Sequence, residues 1–137
     1  MLSITCKLFV SSFLTLFVTH FHQNAAKKAL YALWNRRTEL DLVGNVIDIQ
    51  TGHWIHTASG IGAGIDSFFE YLLKSYTLFG EAEYYEVFLQ AYTAIMKYIR
   101  DSGGYVYQNI NMYNGGIMSS WVDSLAAYFP GLQVKQR

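Results

Sequence analysis

The sequence predicts an all-α fold, part of a helical toroid in which paired helices are joined by short β-hairpins. Three observations lead there. Apolar residues recur at helical spacing over several long stretches. Short stretches with a period of two, each holding a glycine turn, precede two of the helix-bearing units. No repeat of fixed length is present, so the toroid is not an array of identical units. Such a toroid needs more helices than 137 residues supply.

Composition narrows the class. Charged residues are 15% of the chain, hydrophobic residues 52% and aromatics 17%. That is too apolar for a small domain exposing its own surface, and it suggests a piece of a larger core or a chain that needs a partner. Ten basic and ten acidic residues cancel, and no basic patch points to nucleic acid. Cys6 is the single cysteine, so no internal disulfide forms. No Asn-x-Ser/Thr sequon occurs.

Residues 1–23 form a segment of their own, with 24–137 as the remaining domain. Leu8 to Phe21 is mostly apolar, with Lys7 ahead of it. This matches the hydrophobic region of a secretory signal or signal-anchor, a possible route to membrane association, although it is shorter than the ~18–20 apolar residues of a span. A buried or artefactual N-terminus is the alternative. Asn24 to Arg37 reads as an amphipathic helix capped by Asn24, with Ala26, Ala29, Leu30, Leu33 and Trp34 as its apolar face. Arg36 and Arg37 sit where the helix dipole favours positive charge.

Leu42 to Ile55 changes period and predicts a β-hairpin turning at Gly52. A glycine-rich loop over 58–65 follows, then a helix from about Ser67 to Phe79, stopped by Gly80. Ile65, Phe69, Leu72, Leu73, Tyr76 and Phe79 make its apolar stripe. Glu81 to Arg100 predicts a second long helix buried through Tyr85, Phe88, Tyr92, Ile95 and Ile99. Tyr105 to Tyr113 alternates like a strand before an Asn114-Gly115-Gly116 turn. Ser120-x-x-Asp123 is a capping-box pattern for a last short helix. Trp121, Val122, Leu125 and Phe129 are expected to face inward there, and Pro130-Gly131 to end it.

The chemistry centres on residues 60–74, Gly-Ile-Gly-Ala-Gly-Ile-Asp-Ser-Phe-Phe-Glu-Tyr-Leu-Leu-Lys. A nucleotide loop is disfavoured, because the third glycine of the dinucleotide pattern and the βαβ unit are missing. His53 and His56 lie in a strand and turn, where their spacing sends them to opposite faces, so exposed histidines are expected rather than a metal pair. Asp66 and Glu70 admit two readings. One is a glycosidase acid or base. The other is structural: Ser67-x-x-Glu70 as a capping box, Asp66 favoured by the helix N-terminus, and Glu70 paired with Lys74. Taken alone, the residues favour the structural reading. Asp66 and Glu70 share one helix face, so they cannot flank one scissile bond, and at most one belongs to a catalytic pair. Tyr71, Trp54, Tyr105, Tyr107 and Tyr113 are candidate sugar-stacking aromatics, with burial in the core as the ordinary alternative.

Three ordered blocks carry a resemblance: Asn45 to Trp54, Gly62 to Lys74, and Trp121 to Gln133. Together they resemble glycoside hydrolase family 47, the class I α-1,2-mannosidases, over roughly residues 25–134. Within it they look most like the ER-degradation-enhancing α-mannosidase-like (EDEM) branch. Processing mannosidases usually carry arginine where Gly64 stands, and the ending Tyr128-Phe-Pro-Gly-Leu-Gln133 also fits the EDEM branch. The resemblance implies an (α/α)7 barrel with an axial pocket, a bound Ca2+, and inverting hydrolysis of terminal α-1,2-linked mannose on high-mannose N-glycans. It implies a place in the endoplasmic reticulum, marking misfolded glycoproteins for degradation. Asp66 matches the family's active-site aspartate. Glu70 matches a pocket-side glutamate, and Gly64 becomes a determinant of which glycan fits. The family's other catalytic glutamates and its Ca2+-holding threonine have no counterpart here, so no metal ligand is assigned and this chain alone is expected to be inactive. The alternative function is a non-catalytic, glycan-binding adaptor for misfolded glycoproteins.

Overall fold

The computed structural model describes residues 20–136. The hydrophobic segment expected over 1–23 therefore lies, up to residue 19, outside the described residues. About half of the described residues are helical, and the strands are short. Among the described residues no helix is long and apolar enough to cross a membrane.

Helix α1 spans His20–Trp34. It begins before Asn24, which lies inside it, so Asn24 is not the cap. Leu30 and Trp34 are buried and Leu33 is half-buried, but Ala29 faces out. The arginines act at the C-terminal end as expected. Arg36 donates to the Ala32 carbonyl at 2.5 Å and Arg37 to that of Trp34 at 3.1 Å. These are carbonyls that a helix leaves without intrahelical donors. The Arg37 guanidinium also lies 4.6 Å over the Trp34 ring.

The predicted hairpin is present. Strand β1 (Val46–Ile47) pairs antiparallel with β2 (Trp54–His56). Its turn closes through the Gly52 amide to the Asp48 carbonyl at 2.8 Å. His53 and His56 are both exposed. Ala58–Ser59, expected as loop, is instead a strand, β3. It pairs with β4 (Asn109–Asn111), which pairs with β5 (Ile117–Ser119). The strand expected from Tyr105 begins later. Asp101 accepts the Tyr105 and Val106 amides at 2.7 and 2.9 Å, curling that stretch outward and leaving Tyr105 90% exposed.

Helix α2 (Asp66–Phe79) ends where expected, with the Gly80 amide donating to Tyr76 at 2.8 Å. Phe68, Phe69, Leu72 and Leu73 are buried, while Tyr76 lies at the solvent edge, stacked on Tyr85 at 4.8 Å. Helix α3 (Ala82–Ala94) packs against α2 as its main partner. The long helix expected to reach Arg100 changes character after Ala94. Ile95–Ile99 is a π turn, with the Arg100 amide reaching back to Ile95 at 3.0 Å. The wider turn keeps both Ile95 and Ile99 buried.

The C-terminal region departs most from expectation. Asp123, not Ser120, is the N-cap, and it opens a 3-10 helix over Ser124–Tyr128 that runs into α4 (Phe129–Gln136). A 3-10 helix has a period of three. Ala126 and Phe129, three apart, therefore point inward with Leu132 beyond them, while Leu125 is exposed, as are Trp121 and Val122 ahead of the helix. Pro130-Gly131 does not end the helix. Pro130 sits in the first turn of α4, where an amide needs no intrahelical acceptor. Phe129 is fully buried, meeting Tyr92 at 6.0 Å and Tyr107 at 5.1 Å.

Candidate functional site

The site is built by the loop between β3 and α2. Gly62 turns the chain, its carbonyl accepting the Ile65 and Asp66 amides at 3.2 and 3.0 Å. Helix α2 thus starts from a backbone turn. Its N-cap is Ile65, which offers no side-chain hydrogen bond. The capping box expected at Ser67-x-x-Glu70 is not formed, because Ser67 already lies inside the helix. Asp66 is the first helical residue.

Gly62 and Gly64 are glycine for different reasons. A Cβ on Gly62 would lie 2.0 Å from Asp123 Oδ2, inside any permissible contact. Gly64 has φ +98°, a backbone state that side chains rarely adopt, with Asn45 Cβ 3.3 Å from where its own Cβ would stand. The backbone state and the Asn45 contact both favour glycine at 64.

Three carboxylates surround this loop, and two are occupied. Glu70 Oε1 accepts from Lys74 Nζ at 2.6 Å, the helical pair expected from the sequence. Asp123 accepts three backbone amides: Ala63 at 3.0 Å, Leu125 at 2.8 Å and Ala126 at 3.2 Å. Asp66 is half-buried, and among the described residues its side chain makes no hydrogen bond or ion pair. Glu70 follows one turn along the same helix, so the structure brings Asp66 and Glu70 together on one face and does not oppose them.

Polar groups without protein partners gather here too. Asn45 Oδ1, the Ser59 hydroxyl and the Tyr128 hydroxyl are buried and unpaired. Asn45 packs on Gly64, and Ser59 immediately precedes the loop. Tyr128 lies close enough to Asp66 and Glu70 for their charges to act on it. Burial, and then those two carboxylates, push its phenol pKa well above the usual range. It stays a neutral donor at any ordinary pH. Native proteins leave few buried polar groups unpaired, so three around one loop mark it as a place built for polar contact.

The sequence singles out Asp66, Glu70 and Gly64 but not Asn45, Ser59, Tyr128 or the second role of Asp123. The Asp123–Ala63 contact spans 60 positions, and no periodicity records a pairing at that distance. The candidate sugar-stacking aromatics do not converge. Tyr105 and Tyr113 are exposed at separate turns, and Tyr107 packs on Phe129.

Residues 18–137 match the model of glycosyl hydrolase family 47. The chain is 47% identical over 110 residues to ER degradation-enhancing alpha-mannosidase-like protein 1 of Schizosaccharomyces pombe, covering 80% of this chain and 14% of that protein. It is 48% identical over 112 residues to Alpha-mannosidase I MNS5 of Arabidopsis thaliana, covering 82% and 19%. Against human ER degradation-enhancing alpha-mannosidase-like protein 2 it is 37% identical over 137 residues, covering 95% and 23%. The chain thus spans less than a quarter of each of these relatives. The glycine loop, Asp66 and the Phe129-Pro130-Gly131 start of α4 all fall within the matched stretch, and the chain belongs to glycosyl hydrolase family 47.

Proposed function

We propose that this chain forms one wall of the active site of an α-mannosidase, with Asp66 as a reacting carboxylate. The observation carrying this is that Asp66 alone, of the three carboxylates at the loop, has no structural employment. The substrate is terminal α-1,2-linked mannose on high-mannose N-glycans. Relatives named for alpha-mannosidase I and for ER degradation support that class, with misfolded glycoproteins in the endoplasmic reticulum as the source of the glycan.

Inverting hydrolysis uses two carboxyl groups ~6.5–9.5 Å apart with a water between one of them and the sugar. Asp66 serves this as the group that orients the water and exchanges a proton with it. Glu70, one turn away on the same face, accepts from sugar hydroxyls. Gly64 adds no side chain to this wall two residues before Asp66, and so bears on which glycan fits. The opposing carboxyl comes from another part of an (α/α)7 barrel, so the 137-residue chain alone does not hydrolyse glycans.

Calcium needs 6–8 oxygen ligands. Among the described residues no group of three or more His, Cys, Asp or Glu side chains could hold a metal ion. The Ca2+ that the family resemblance implies would take its protein ligand from another part of the barrel.

The test is a chimera in which residues 24–136 replace the matching segment of the Arabidopsis relative. Mannose release from a high-mannose glycan is expected, and Asp66→Asn should lower kcat by about 100-fold or more, as for loss of a general acid or base. Release that is indifferent to Asp66→Asn would overturn the assignment. Glycan binding by a chimera that never hydrolyses would favour an adaptor role instead.

A further inference from the structure

We propose that Asp123 is a positioning residue for Asp66, latching the glycine loop through the Ala63 amide and so fixing where the Asp66 carboxylate stands. This rests on the reading of Asp66 as the reacting group.

An N-cap carboxylate ordinarily serves the amides of its own helix. Asp123 does that with Oδ1, which accepts Leu125 and Ala126 at 2.8 and 3.2 Å. Its other oxygen, Oδ2, accepts the Ala63 amide at 3.0 Å, from 60 positions upstream. These are hydrogen bonds to a carboxylate, the stronger kind. Ala63 lies inside the turn that Gly62 closes by accepting the Ile65 and Asp66 amides. The chain between latch and Asp66 therefore has little slack, and a shift at Ala63 is passed to Asp66. Gly62 fits only because it lacks a side chain, since a Cβ would meet Asp123 Oδ2 at 2.0 Å and Cγ at 2.7 Å.

The same short helix carries Tyr128 at its far end, with a buried hydroxyl facing the charges of Asp66 and Glu70. One element thus holds the loop at its start and overlooks the carboxylates at its finish. Misplacing a reacting group by about 1 Å costs on the order of 100-fold in rate, so such a latch has catalytic consequences without touching substrate.

The experiment separates latch from cap by Asp123→Ser. Serine caps a helix well, but its shorter side chain cannot also span to Ala63. In the full 137-residue chain, amide exchange and the carboxyl 13C resonance of Asp66 are followed by NMR in wild type, Asp123→Ser and Asp123→Ala. Asp123→Ser should speed exchange at Ala63 about ten-fold or more, the scale of one lost charge-assisted hydrogen bond. It should also move the Asp66 resonance, while Leu125 and Ala126 stay protected. If Ala63 and Asp66 are unchanged while Asp123→Ala deprotects Leu125 and Ala126, Asp123 is a cap only and the proposal falls. Should Asp123→Ala fail to fold, the serine variant decides alone. In the chimera, Asp123→Ser should lower kcat with KM little changed. Insensitivity of that chimera to Asp66→Asn would sink the mannosidase reading, yet the NMR result would still decide the latch.

Discussion

Gly64 and Gly80 both have positive φ, +98° and +71°, but their surroundings differ. A methyl group on Gly80 meets nothing within 4 Å, whereas on Gly64 it presses on Asn45 at 3.3 Å in a less tolerant backbone state. Gly64→Ala is therefore expected to cost about 1–3 kcal/mol, and Gly80→Ala about 1 kcal/mol. Thermal or urea unfolding of the two variants side by side checks the order. The glycine run and Asp66 were legible as a loop opening a helix, because glycine spacing and helical periodicity are local signals. What holds the loop was not. Asp123 looked like the end of a capping box three residues too early, and its partner Ala63 carries no chemical signature at all.

Helix α1 is docked on the start of α3 by charge, while its Trp34 stacks on Phe68 of α2. Lys27 is paired with both Glu81 and Glu83, Gln23 donates to Glu81, and the Tyr31 hydroxyl donates to Glu83 at 2.7 Å. Hydrogen bonds from Lys27 and Tyr31 hold the Glu83 carboxyl below its ordinary value of 4.5. The bonds to Glu81 and Glu83 raise the Lys27 ammonium above 10.5, and Glu83 with burial lifts Tyr31 to about 12. A depressed carboxylate contributes its full stability above its unfolded pKa and loses it as pH falls through the folded one. A raised lysine or tyrosine contributes fully below its unfolded pKa and loses that as pH rises through the folded one. Docking of α1 is therefore strongest between about pH 5 and 10. The groups are partly exposed, so solvent limits the effect to about 1 kcal/mol. The protection of α1 amides, taken relative to the intrinsic exchange rate at each pH, should fall on both sides of that window, and Lys27→Met should flatten its acid side. At this scale the sequence placed α2 and α3 well, since their stripes follow one period. It misjudged the last helices, where the period shifts to three and a proline in a first turn reads as a stop.

Across the molecule, the apolar composition is explained by faces left open. Ile117, Met118, Trp121, Val122 and Leu125 are all exposed within one short stretch, as is Val134 on α4. The family was legible from three ordered blocks because a longer fold imposes their order and spacing. The partner that the proposed function requires for Asp66 was not, because one wall of a site carries no signal of the wall opposite.

The three tryptophans occupy three optical environments. Trp34 is buried against Phe68, Trp54 is half-buried and donates its indole N–H to the Arg36 carbonyl at 2.7 Å, and Trp121 stands 75% exposed beside the Asp123 latch. Intrinsic fluorescence should separate them. The red-edge, acrylamide-quenchable emission belongs to Trp121, and Trp121→Phe should remove it while leaving the blue-shifted light of Trp34. Anything that covers this wall, whether another segment or a bound oligosaccharide, would then announce itself as a colour change from a residue the protein already has.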